Sequence, residues 1–218
     1  MSIQAVIFDR DGVLLDFDME AAARFFTPRV PLSLWEIFER WEAWGGQVGF
    51  PRSVAEESAF FTGFWGSLCD KLALSAATRN DLQQFDYTTC LKVYPDVLPA
   101  LQIARAANLR IGVLSNFALA SLEHSLHTAG LASWIDVACA ATVIGAAKPS
   151  PAAYAITAAR LGIAPEQCLF FDDELPCVEG ALAAGMQAYH VDRTLSAHDL
   201  AACKVADLGA LTTLLKQM

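Results

Sequence analysis

The residues best suited to chemistry in this 218-residue chain are acids that end short apolar runs: Asp9 and Asp11 in FDRDGV, and Asp172 and Asp173 in FFDDE. Between them in sequence come Ser115 and Asn116 in VLSNF, and Lys148 in KPSP. Carboxylates gathered in one cleft repel one another, so their ionised forms need a compensating cation, and oxygen ligands select a hard one. Mg2+ suits such a site, because it keeps several waters and takes one or two carboxylates together with substrate phosphate. The hydroxyl and N–H groups of Ser115 and Asn116 near a helix start, with the Lys148 ammonium, would supply donors to phosphoryl oxygens. The chemistry suggested is the handling of a phosphate beside a metal ion.

Four distant segments must converge for this to work, which constrains the fold. Residues 3–8 (IQAVIF) form an apolar run that stops at Asp9, as a fully buried parallel strand does. From Tyr94 onward the pattern alternates: a helix over 95–107, the strand-like RIGVL up to Leu114, a helix ending near Gly130, and the strand-like WIDVACA. A helix over 151–161, the strand CLFF at 168–171, a helix over 178–184 and the strand MQAYHV follow. This pattern predicts an α/β fold with a doubly wound, Rossmann-like parallel sheet, whose ligands bind beyond the carboxyl ends of its strands. Ser150 before Pro151 suits a helix start, and Gly130, Gly162 and Gly185 stand where helix C-caps belong.

Between these parts the rhythm changes. Residues 17–91 are mostly helical in pattern and rich in aromatics, among them Trp35, Trp41, Trp44 and Trp65. The expected organisation is a core of 1–16 and 92–218 with an inserted helical cap over 17–91. Gly45 and Gly46 are expected to mark a turn inside it. Tryptophans at helical spacing are read as packing a small helical core rather than lining a pocket.

Taken in order, FDRDGVLLD, LSN, KPSPAAY and FFDDELPCVEGA resemble the four motifs of the haloacid dehalogenase-like hydrolases, across nearly the whole α/β portion. A DxDG alone recurs by chance and also resembles calcium loops; four ordered motifs with these flanks are specific. The resemblance implies a phosphatase in which Asp9 attacks phosphorus to form an aspartyl phosphate, while Asp11 protonates the leaving alcohol and then activates water. It further implies Mg2+ held by Asp9, Asp173 and the backbone carbonyl of Asp11, with Asp172 as direct or water-mediated support. Ser115 and Lys148 would position the phosphoryl group, and Asn116 and Gly12 would present backbone or amide donors to it. The implied substrate is a small phosphorylated metabolite.

Asp11 separates reaction classes, because the family's dehalogenases attack carbon and lack an acid at this place. Phosphonatases need a Schiff-base lysine from the cap, for which Lys71 is the single candidate. A sugar phosphomutase shares every core residue, so the motifs leave it open, and a non-catalytic phosphate-binding module is a third alternative. Many relatives carry an acid or amide where this chain has Cys177; the Asp172–Asp173 pair is read as supplying the second acidic contact and Cys177 as a small residue at a helix start. His124 and His127 lie one helical turn apart without an evident third ligand and are read as ordinary surface or partly buried histidines. Glu20, Arg24 and Arg52 are the polar cap residues singled out for specificity.

Composition narrows the partners. Hydrophobic residues make up 55% and charged residues 18% of the chain, as expected of a packed globular protein. With 15 Lys and Arg against 24 Asp and Glu, the net charge of −9 gives no basic run to follow a nucleic-acid backbone. Scattered cysteines and the absence of a leader-like start point to a reduced, cytoplasmic protein, and no apolar stretch is long enough to span a bilayer. Monomer and homodimer are both open.

Overall fold

Side chains along β1 (Ala5–Phe8) alternate between two buried layers: Val6 and Phe8 enter one hydrophobic cluster, Ala5 and Ile7 the other. The same alternation runs through β4 (Arg110–Ser115) and β6 (Cys168–Asp172), where Ile111, Val113, Leu169 and Phe171 face one layer and Leu114, Cys168 and Phe170 the opposite one. A strand covered on both faces needs helices on both sides, which explains its unbroken apolar sequence. The computed structural model, which describes residues 2–117 and 121–217, meets that need.

Its main sheet adds β5 (Val137–Ala140), β7 (Gln187–Val191) and β8 (Lys204–Val205) in the order β5–β4–β1–β6–β7–β8, with every neighbouring pair parallel. Helices α5 (Val97–Ala106), α6 (Leu122–Thr128) and α10 (Ala210–Gln217) contribute to the first layer, and α8 (Pro151–Leu161) and α9 (Leu175–Ala183) to the second, while α7 (Ala141–Ile144) is a single turn after β5. The doubly wound parallel sheet expected from the alternation is present. Pro151 opens α8 and Gly162, at φ +73°, closes it; Ser150 occupies the N-cap position but its side chain makes no cap hydrogen bond.

Four helices lie between β2 (Leu15–Phe17) and β3 (Leu91–Val93): α1 (Met19–Phe26), α2 (Leu34–Val48), α3 (Val54–Lys71) and α4 (Ala76–Gln83). They share a separate hydrophobic cluster containing Phe26, Ile37, Phe64, Trp65, Leu68 and Leu82. β2 and β3 pair antiparallel, Leu15 with Val93 and Phe17 with Leu91, so the chain leaves and re-enters the sheet region through one short ribbon. The expected turn at Gly45 and Gly46 is absent: both residues lie within α2, which ends at Gly49 with φ +87°. Gly45 is buried under the Phe50 ring, where a Cβ would collide, so close packing and not chain reversal accounts for it. No helix among the described residues is long and apolar enough to cross a membrane.

Candidate active site

Because β1, β4 and β6 are adjacent and parallel, their carboxyl ends bring Asp9, Ser115 and Asp172 to one rim. Lys148, in the loop before α8, reaches the same point: its ammonium donates to Asp9 Oδ1 and to Asp172 Oδ2, each at 2.6 Å, and all three groups are buried. Burial raises the Asp9 carboxyl from 3.8 to about 7, opposed by Lys148 and reinforced by the charges of Asp172 and Asp11. Burial alone would lower the Lys148 pKa, but Asp9 and Asp172 more than offset it and leave it raised, so the ammonium stays charged. Asp172 is also raised by burial, against the pull of Lys148.

Both oxygens of Asp172 are engaged, Oδ2 by Lys148 and Oδ1 by the Glu174 N–H at 2.9 Å. Asp173 is exposed, and its carboxyl is raised by burial and by Asp172. Asp9, Asp172 and Asp173 each offer an oxygen, all within 4.8 Å of one another, an all-oxygen set that fits a hard divalent cation.

The expected phosphate donors are more committed than the sequence suggests. The Asn116 side chain makes a reciprocal pair with Lys148, donating to its carbonyl and accepting from its N–H, both at 2.8 Å, and so clamps the lysine loop to the end of β4. Ser115 is buried and its Oγ accepts from the Phe117 N–H at 3.1 Å. Gly12 donates its N–H to the Leu15 carbonyl at 2.9 Å. At φ +72°, and with Asp173 where a Cβ would sit, Gly12 is required for the close approach of the two acid-bearing loops. Asp11 lies apart from the three clustered carboxylates; its side chain is about half exposed and takes three contacts from Arg10, at 2.9 to 3.2 Å.

The family model described as haloacid dehalogenase-like hydrolase matches residues 3–185 of the chain. The chain belongs to the haloacid dehalogenase-like hydrolases. A relative named as a phosphatase, from Mycobacterium tuberculosis (strain CDC 1551 / Oshkosh), is 41% identical over 97% of both chains. An (S)-2-haloacid dehalogenase of Pseudomonas sp. (strain CBS-3) is 26% identical over 88% of this chain and 85% of its own. The crystal structure of a 2-haloacid dehalogenase from Pseudomonas syringae pv. Tomato DC3000 superposes with a TM-score of 0.71 at 21% identity, covering 99% of each chain, which is a likeness of fold. Fold alone therefore does not choose the reaction of this hydrolase.

Several contacts of the hydrolase were not foreseen from the motifs, although Arg10 lies within the first of them. Arg10 is almost fully buried, stacks its guanidinium 4.0 Å from the Phe117 ring and donates to Ser125 Oγ at 3.2 Å. Its signal was a cation between two acids. Arg193, beyond β7, donates to the carbonyls of Gly12 (2.9 Å) and Val13 (2.6 Å), pairs with Asp96 and stacks on Tyr94, pinning the loop after Asp11. Phe117 also stacks against Trp41 of α2, at 6.2 Å and 15°, and lies 5.4 Å from Tyr87.

The other sequence candidates sit elsewhere. Glu20 and Arg24 are exposed and pair with each other; Arg52 is exposed, and its N–H is taken by Glu56 at 2.8 Å. Lys71 lines a cavity of about 110 Å³ with Arg40, Trp44 and Gln47. It ends α3, about 20 Å along the helix from Glu57, the residue of that helix that meets Ser121. His124 and His127 are exposed, and His124 pairs with Asp86 at 3.2 Å. Trp65 is core, Trp41 and Trp44 are half-buried, and Trp35 is exposed. Cys177 lies buried in the first turn of α9; burial, then the charge of Asp172, pushes its thiol up, which leaves it unreactive.

Proposed function

We propose that this hydrolase is a Mg2+-dependent phosphatase of small phosphorylated metabolites that works through an aspartyl phosphate on Asp9. The observation that carries the reading is the buried Asp9–Lys148–Asp172 cluster with an ionisable acid, Asp11, two residues from Asp9. A dehalogenase attacking carbon has no departing alkoxide to protonate and no use for that acid. The 41% identity to a named phosphatase supports the same choice.

In the first step an Asp9 oxygen attacks phosphorus, the P–O bond to the alcohol breaks, and the leaving oxygen takes the proton of Asp11. In the second, Asp11 removes a proton from water, whose oxygen attacks phosphorus and frees orthophosphate and the Asp9 carboxylate. Lys148 opposes the effect of burial on Asp9 and fixes its carboxyl, which orients the nucleophile before substrate arrives. Ser115 and the backbone N–H groups near it would orient the phosphoryl oxygens, with Asn116 acting chiefly as the clamp on Lys148. Asp9, Asp173 and the Asp11 carbonyl would hold Mg2+, supported by Asp172, and the ion would neutralise charge on the transferring group. The helical unit over 17–91 is assigned as a cap on the core of 1–16 and 92–218, excluding water from the site. Six free cysteines suit a reducing, cytoplasmic setting.

The test is release of orthophosphate from para-nitrophenyl phosphate by purified protein with Mg2+, its loss on chelation, and its loss in Asp9→Asn. Undiminished turnover by Asp9→Asn refutes the mechanism. Isomerisation of a sugar phosphate with little phosphate release would instead identify a mutase.

A further inference from the structure

Lys148 has a counterpart on the far side of the rim acids. Asp173 belongs to the turn between β6 and α9, and its backbone carbonyl lies 2.9 Å from His190 Nε2. A carbonyl can only accept, so Nε2 carries the proton and donates it. The neighbouring N–H, that of Glu174, donates to Asp172 Oδ1 at 2.9 Å. This carbonyl and this N–H are opposite edges of one planar peptide group, so His190 and Asp172 hold the same plane from its two sides. Asp172 Oδ2 in turn takes Lys148, and Lys148 reaches Asp9. A line of hydrogen bonds thus runs from His190, through the backbone of Asp173, to the nucleophile.

His190 is itself well anchored. Its strand, β7, lies between β6 and β8; it stands opposite Asp172 in the parallel register, and its N–H donates to the Cys203 carbonyl at 2.8 Å. Three residues further on, Arg193 donates to the carbonyls of Gly12 and Val13. One stretch of chain therefore fixes both acid-bearing loops, which meet where Asp173 fills the space of a Gly12 Cβ. The other ring nitrogen of His190, Nδ1, is buried and meets no partner among the described residues. An unsatisfied polar atom in such a place is a cost that an apolar side chain would avoid. Packing gives no reason for a histidine here, whereas the Asp173 carbonyl does.

We infer that His190 is a positioning residue for the divalent cation of the rim: by holding the 173–174 peptide it sets where Asp172 and Asp173 present their oxygens. The inference rests on the reading of Asp9, Asp172 and Asp173 as a cation site and concerns what makes that site rigid. Rigidity has a chemical signature. Mg2+ demands near-ideal octahedral geometry, while Ca2+ accepts longer and less regular arrangements, so a loosened set of carboxylates loses Mg2+ more than Ca2+.

The experiment measures binding of MgCl2 and of CaCl2, without substrate and at constant ionic strength, from the rise in melting temperature of metal-free protein. Wild type is compared with His190→Leu, which removes the donor, and with His190→Gln, whose amide N–H can reach the same carbonyl. His190→Leu is expected to weaken Mg2+ binding about ten- to hundredfold and Ca2+ binding less, and His190→Gln to recover most of the loss. A general loss of packing would weaken both ions alike and would not be repaired by glutamine. Mg2+ affinity within about twofold of wild type in folded His190→Leu protein overturns the role of His190, and so does an equal loss of both ions. In either case phosphate release from para-nitrophenyl phosphate by wild type leaves the phosphatase reading standing. Failure of wild type itself to bind Mg2+ overturns the cation site proposed above and this inference with it.

Discussion

Two buried ionic clusters flank the loop from Asp9 to Gly12, and they are finished to different degrees. At the sheet rim, Lys148 serves Asp9 and Asp172 together, and the remaining Asp172 oxygen takes a backbone N–H. At the seam, Arg10 is satisfied by Asp11 and Ser125, but Glu57 retains an oxygen without a described partner. The contrast is one of completion: every oxygen that Lys148 reaches at the rim is organised before any ligand arrives, whereas the seam keeps one buried carboxylate oxygen unsatisfied.

Mutations can break each side of this contrast. The largest effect is expected at the nucleophile: Asp9→Asn should lower kcat for para-nitrophenyl phosphate by about six orders of magnitude, the scale seen when a nucleophile is removed from a catalytic unit. Next, Lys148→Met should cost about 3–5 kcal/mol of folding stability in metal-free protein, read as a shift in urea midpoint, because two buried carboxyls lose their partner. A loss below about 1 kcal/mol would mean that the rim does not depend on that lysine. Arg10→Met releases Asp11 and should slow alkyl phosphates about ten- to hundredfold more than para-nitrophenyl phosphate, whose leaving group needs little protonation. Equal slowing of both would remove Arg10 from any part in acid catalysis.

Metal and pH test the rim differently. A carboxyl raised from 3.8 to about 7 on folding contributes stability that is full below the lower value and is lost as pH rises through the upper one. Metal must displace that proton, so stabilisation by Mg2+ should run the other way, being about 1.4 kcal/mol smaller at pH 6 than at pH 8. Thermal shifts of equal size at both pH values would contradict the raised Asp9 carboxyl. The smallest effect is expected outside both clusters: replacing His124 and His127 by Ala should change stability by less than about 0.5 kcal/mol and leave the response to Mg2+ intact.

What could be read from sequence divides along the same line. The sheet was legible because strands buried on both faces must be continuously apolar, and α8 was bounded correctly because Pro151 and Gly162 act through local backbone preference. The rim acids followed, since they end those strands. The seam was opaque because its properties arise from contacts between distant segments. Glu56 and Glu57 are adjacent and chemically identical, yet Glu56 takes the Arg52 N–H at the surface while Glu57 is buried against Ser121. Gly45 likewise carried a turn signal that Phe50 overrode by packing on it. The side chain of Asn116 fell between: its position at the rim was foreseeable, its clamp on Lys148 was not.

The β2–β3 ribbon carries one more consequence. Leu15 and Val93 stand directly opposite each other, as do Phe17 and Leu91, so the two points at which the helical segment joins the sheet are already side by side. The sheet domain's own chain closure is then nearly indifferent to what is inserted there, because closure entropy changes slowly with loop length. Evolution or an engineer can lengthen, shorten or exchange the whole segment while the six-stranded sheet keeps its register.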